Sequence, residues 1–187
     1  MNAGLAQAGT EREQLIALLE NSEKRWLAVL SSVPECACGV KISDECWSIL
    51  QVAEHVAAAE HGMFWAMELA KEKTTPPNYE VDKRLIGGAT NREVKRQAPA
   101  PSLPKGRWMS IGECAEAFKK SRARTIEYVR TADNLRGRFV IHPLLGELDG
   151  HQMVLVMAGH PERHALQILE ITGTAAYNNA VLLKGSS

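Results

Sequence analysis

Asp149-Gly-His-Gln152-Met153-Val-Leu-Val-Met157-Ala158-Gly159-His160-Pro161-Glu162-Arg-His164-Ala-Leu-Gln167-Ile168-Leu-Glu-Ile171-Thr172-Gly173 reads as one long helix. Asp149 and Gln152 have the spacing of a capping box, in which each side chain satisfies a backbone N–H of the other's end. Gly173 is a C-terminal stop. Met153 to Ala158 is apolar on every side, so this helix is expected to be the most buried in the protein. His160 and His164 emerge one turn apart, with Cβ atoms ~6 Å from each other, on a face shared with or bordered by Met153, Met157, Gln167, Ile168 and Ile171. Pro161 interrupts the backbone ladder directly after His160, so a kink or bulge is expected. Two readings stand open: a helix break at Gly159-His160-Pro161, or a distortion that aims His160 inward.

Three further helices lie N-terminal to it. The first is expected over Glu11–Val33, with Leu15, Leu18, Leu19, Trp26, Val29, Leu30 and Val33 on one stripe and Pro34 ending it. The second opens at Ser48, which forms a capping box with Gln51, and runs to about Lys71. Its inward stripe is Val52, His55, Val56, Ala59, Met63 and Ala66. The third is expected over Ser110–Ala132. Between the second and third, residues 73–109 carry Pro76, Pro77, Pro99, Pro101 and Pro104. They read as a long crossover with one short helical piece near Asn91–Arg96. Asn134–Leu148 reads as a loop. Four helices of such length suit an all-α four-helix bundle, a single domain over 1–187 with its core in 11–172.

The chain has 187 residues, 22 Lys+Arg against 22 Asp+Glu, and a formal charge of zero. A nucleic-acid partner is not expected, because counterion release from phosphates calls for a basic excess. Met1–Gln14 lacks an apolar signal core, and Met153–Gly159 is too short an apolar run to cross a bilayer, so a cytoplasmic, membrane-free protein is expected. Cys36, Cys38 and Cys46 match no zinc spacing and read as free thiols, and Cys114 reads as core.

Inward histidines are the chemical signal. Taken singly, His55 is more often a hydrogen-bonded core residue, and a His-x-x-x-His pair such as His160 and His164 is more often accidental than a metal site. Together they would need three separate buried partners, each unmet one costing ~1–3 kcal/mol, whereas one ion satisfies all three. Three protein ligands with an open position are the catalytic pattern for zinc and its neighbours. His142, in the loop before the last helix, is a pocket candidate or else a turn residue before Pro143. Gln167 is placed to orient a ligand or water. His61 points elsewhere, and His151 is expected to be exposed. No carboxylate stands out as a general base, since Glu54 and Glu162 are only sequence neighbours of the ligand positions.

The runs Trp47-Ser48-Ile-Leu-Gln51-Val-Ala-Glu-His55-Val, His142-Pro143-Leu-Leu-Gly146 and His160-Pro-Glu-Arg-His164-Ala-Leu-Gln167-Ile168 resemble the DinB/YfiT-like superfamily, a damage-inducible family distinct from the polymerase of that name. The resemblance spans roughly Glu11–Thr172. It implies an up-down-down-up bundle, often dimeric, with a divalent metal, zinc or nickel foremost, on His55, His160 and His164. It also implies thiol S-transfer, with a low-molecular-weight thiol as cosubstrate, or hydrolysis of a small molecule. The alternative is a non-enzymatic metal-binding module that senses stress or docks a partner. An open coordination position beside a pocket favours the enzyme; a saturated site favours the module.

Overall fold

Side-chain oxygens start the four long helices. Thr10 with Glu13, Ser48 with Gln51 and Asp149 with Gln152 form reciprocal capping boxes, opening α1 (Glu11–Ser31), α2 (Ile49–Glu68) and α5 (Gly150–Thr172). Ser110 Oγ accepts from the Glu113 N–H at the head of α4 (Ile111–Thr131). Two shorter helices are α3 (Tyr79–Gly88) and α6 (Ala175–Leu182). Strands β1 (Lys71–Glu72), β2 (Arg138–His142) and β3 (Gly146–Asp149) make one antiparallel sheet in that order. This is a computed structural model in which residues 10–183 are described. Most of the expectation placed on Met1–Gln14 lies outside them.

Contacts along the helices give their directions. Arg12, at the start of α1, donates to the Arg130 and Ala132 carbonyls at the end of α4, so these two run antiparallel. Glu11 meets Arg136 and His151 beside the start of α5, and Arg25 meets Glu162 further along, so α1 and α5 run parallel. Glu60 pairs with Arg122, and Tyr128 donates to the Met67 carbonyl, which makes α2 and α4 parallel. His55, early on α2, lies against His160 and His164 around and beyond the middle of α5, whereas Met63, later on α2, shares a cluster with Met153 near the start of α5. The order is therefore up-down-down-up. Helices α1 and α2 each pack against both α4 and α5.

Two apolar clusters fill the bundle. One holds Trp26, Ile49, Val52, Phe118 and Ile168, the other Leu15, Leu19, Met67, Val129 and Met157. Along every helix a polar layer separates them. Arg122, fully buried on α4, makes a two-pronged pair with Glu60 of α2 at 2.7 and 2.9 Å. It also donates to the Leu19 carbonyl and Ser22 Oγ of α1, and to the Met157 carbonyl of α5, each at 2.8 Å. One side chain thus ties all four bundle helices. An Arg fork suits this task because its donors are planar and pre-set.

Several expectations need correction. The short helix of the crossover lies at Tyr79–Gly88, not near Asn91–Arg96. It shows no long apolar stripe because what it buries is partly polar: Asp82 accepts from Gln152 Nε2 at 2.9 Å and from Arg136 Nη2 at 2.8 Å. The second helix stops at Glu68, and Lys71 pairs with Phe139 in a sheet that hydrophobic periodicity did not disclose, since β1 is exposed and two residues long. The Asn134–Leu148 loop is mostly a β-hairpin, turned at Gly146 with φ 77°. His151 is buried, because α3 covers the first turn of α5, and its Nε2 lies 3.3 Å from Glu11. The last helix is continuous through Pro161, so no break occurs there. Gly173 ends it in a right-handed conformation, and α6, unanticipated, follows at once. Among the described residues no helix is long and apolar enough to cross a membrane.

Candidate metal centre

His55 projects from α2, and His160 and His164 from α5, into the same end of the bundle. One ring nitrogen from each lies within 4.8 Å of the other two. His55 Nε2 and His160 Nε2 are 3.2 Å apart. Two nitrogens bound to one tetrahedral ion at ~2.0–2.1 Å would stand roughly 3.3 Å from each other. The geometry therefore fits a shared ion without rearrangement of that pair.

Hydrogen bonds at the far sides of the rings select the tautomers. His55 Nδ1 lies 2.9 Å from the Ser102 carbonyl, an acceptor only, so Nδ1 carries the proton and Nε2 keeps its lone pair. His164 Nδ1 lies 2.8 Å from Gln167 Oε1, with the same result. His160 Nδ1 is buried without a hydrogen-bond partner among the described residues. Trp47 packs against His55 with ring centroids 4.8 Å apart.

The surroundings of all three imidazoles favour the neutral form. Burial lowers His55, partly opposed by its bond to Ser102. Burial, then the charges of His164 and His55, push His160 well below the usual imidazole range. Burial, then His55, bring His164 down to about 3. Three neutral, converging nitrogens are a poor proton site and a good cation site. Among the described residues no other His, Cys, Asp or Glu joins the group.

The trio opens onto a cavity of about 1310 Å³. Its walls come from the crossover, including Arg92, Arg96 and Ser102, and from the β2–β3 turn, including His142 and Leu144. His142 and Gln167, the two pocket candidates, both line it. The Leu144 N–H donates to His142 Nδ1 at 3.2 Å, so Nε2 bears the ring proton. Burial, then the charge of Arg96, lowers the His142 pKa.

The neighbouring carboxylates are occupied elsewhere. Glu54 accepts the N–H groups of Lys105, Gly106 and Arg107, while Glu162 pairs with Arg25. Cys36, Cys38 and Cys46 are free and do not form a ligand group with one another. Cys38 is buried, and desolvation pushes its thiol up to about 11. Cys114 is core. Sequence reasoning missed Arg122, Glu60 and Arg92. For Glu60 and Arg122 the available signal was a charge breaking an inward stripe, as Glu60 does between Val56 and Met63; Arg92, in the crossover, gave none.

Solved structures share this architecture. YfiT from Bacillus subtilis, described as a probable metal-dependent hydrolase with an unusual four-helix bundle topology, is 13% identical and superposes with a TM-score of 0.61, covering 91% of each chain. TT2238, described as a four-helix bundle protein, is 23% identical with a TM-score of 0.55, covering 85% of this chain and 98% of that one. Among curated proteins none matches the sequence significantly. The family model of the DinB superfamily matches residues 18–168, and the chain belongs to that superfamily.

Proposed function

We propose that this protein is a metal-dependent enzyme. It holds one divalent cation, zinc or nickel, on His55, His160 and His164, and acts on a small molecule by thiol S-transfer or hydrolysis. The observation that carries the reading is a three-imidazole group with no fourth protein ligand among the described residues, facing a cavity of about 1310 Å³. When bound, such an ion supplies a Lewis acid that lowers the pKa of a coordinated water or thiol toward neutrality.

The chain's own groups do the positioning. The Ser102 carbonyl and Gln167 hold His55 and His164 in the tautomers that face the ion. His142 presents an Nε2–H to the cavity, where it can donate to a developing negative charge or to a leaving group. Residues of the crossover wall the reaction space. The description of YfiT as a probable hydrolase agrees with activation of water. We take the protein to act in the cytoplasm, as a homodimer, without nucleic acid or membrane.

The test is metal analysis of the purified protein, combined with turnover assays over esters, amides, and electrophiles paired with low-molecular-weight thiols. One ion per chain and an activity lost on chelation are expected. Protein that holds its ion yet accelerates nothing in the panel would favour the non-enzymatic module; protein with no affinity for divalent ions would overturn both.

A further inference from the structure

The cavity beside the histidines is lined by five cationic side chains and only two carboxylates, Glu45 and Glu170. The whole chain is formally neutral, so this excess is local. Arg92 is already engaged: its Nε and Nη2 grip Glu170 at 3.0 and 2.8 Å. Its Nη1 lies 3.4 Å from Gln167 Oε1, the atom that holds His164. Glu170 is thereby used up, and it faces Arg163 and Lys95 as well.

Arg163 and Arg96 are different. Arg163 donates to the Val94 carbonyl at 2.7 Å but has no carboxylate partner among the described residues. Arg96, exposed on the crossover, has neither a hydrogen bond nor an ion pair among them. Burial, then the charges of Arg92 and Arg96, lower the Arg163 pKa against the opposing charge of Glu170, so each of the two arginines lies within electrostatic reach of Arg163, and all three line the one cavity. Folding alone gives no reason to gather them there, and an anion between them would relieve the repulsion. Planar guanidinium forks match carboxylate and phosphate oxygens in two-pronged fashion. The contacts Arg92–Gln167–His164 set Arg92 one side chain away from the metal centre, and Arg163 directly precedes His164 on α5.

We propose that Arg96 and Arg163, backed by Arg92, bind a carboxylate or phosphate group on the substrate or thiol cosubstrate and so aim its reactive end at the three histidines. What the anion is attached to rests on the enzymatic reading above; the anion site itself does not.

The test uses the full chain and calorimetric titration at low salt. Metal-loaded protein is titrated with mercaptosuccinate and with neutral 1-thioglycerol, and a preference of about tenfold or more for the anion is expected. Arg96→Glu should abolish that preference while leaving 1-thioglycerol binding unchanged. Lys24→Glu, the same charge change on an exposed position of α1 outside the cavity, should keep it. Arg96 has no partner to lose, so its variant should fold as wild type does by circular dichroism.

Metal-free protein is titrated with tricarballylate and with inorganic phosphate, which read the arginines without the ion. Binding of either that is lost in Arg96→Glu supports the site, and the one that binds identifies the anion. If neither thiol binds metal-loaded protein but tricarballylate binds and depends on Arg96, the anion site stands and the thiol reading fails. Equal affinity for the two thiols with no anion binding to metal-free protein, or a preference that survives Arg96→Glu, overturns the proposal.

Discussion

The Arg122 guanidinium donates to the Met157 carbonyl at 2.8 Å, and that carbonyl is the one Pro161 deprives of its helical N–H donor. A helix normally loses a hydrogen bond at an internal proline. Here the missing donor comes from another helix, one residue from the metal-centre position His160.

Arg122→Met should destabilise the protein by about 3–5 kcal/mol, because it leaves the Glu60 charge buried and unpaired. Urea unfolding measures this. Changing Glu60→Leu at the same time should recover most of the loss. In a Pro161→Ala background the Met157 carbonyl regains its helical donor, so the cost of Arg122→Met should shrink by about 1 kcal/mol. An unchanged cost would show that the arginine does not stand in for the missing N–H.

Gln167→Leu should weaken metal binding by about 10- to 100-fold, since it removes the acceptor that orients His164. His164→Ala should lose the ion outright, because two imidazoles hold it far more weakly. His142→Gln should keep full metal content while activity falls. Competition against a chromophoric chelator reads all three. Chelation of the wild type should cost ~4 kcal/mol of stability at a thousandfold excess of free metal over Kd.

Metal-free protein should lose stability as pH falls below about 6.5, the ordinary imidazole pKa. The unfolded chain takes up protons there, whereas folded His164 resists until about 3, and His55 and His160 are shifted in the same direction. The contribution of these histidines is complete above the unfolded value and is lost progressively down to the folded one. Each contributes a slope of up to ~1.4 kcal/mol per pH unit. Urea midpoints of the metal-free protein at pH 7, 6 and 5 test this. His164→Gln should flatten the profile; an equally steep one would contradict the assignment.

Gly159→Ala should undock the crossover rather than unfold the bundle. A Cβ at Gly159 would fall 2.5 Å from the Cβ of Ala89, just beyond the end of α3. Alanine's helix propensity, worth about 1 kcal/mol over glycine, offsets part of the clash, so the melting temperature should change little. Cleavage by added protease within residues 74–109 should accelerate. Ala89→Gly in the same chain should restore resistance, and a Gly159→Ala variant as resistant as wild type would rule out this close packing.

Local chemistry and periodicity made the bundle legible. Ser48 and Asp149 were readable as the heads of α2 and α5, because capping depends on residues only three apart. The face holding His160 and His164 follows from the helical repeat alone, and His55 follows from its place on the α2 stripe. Which of several inward polar groups meet was decided only by the tertiary structure. Glu60 and Arg122 are 62 positions apart, Arg92 and Glu170 are 78 apart, and neither pairing leaves a local trace. The helix at Tyr79–Gly88, the Lys71–Glu72 strand and the burial of His151 were hidden for the same reason. Each depends on a polar partner brought from a distant part of the chain, and hydrophobic periodicity reports only the apolar face an element must bury.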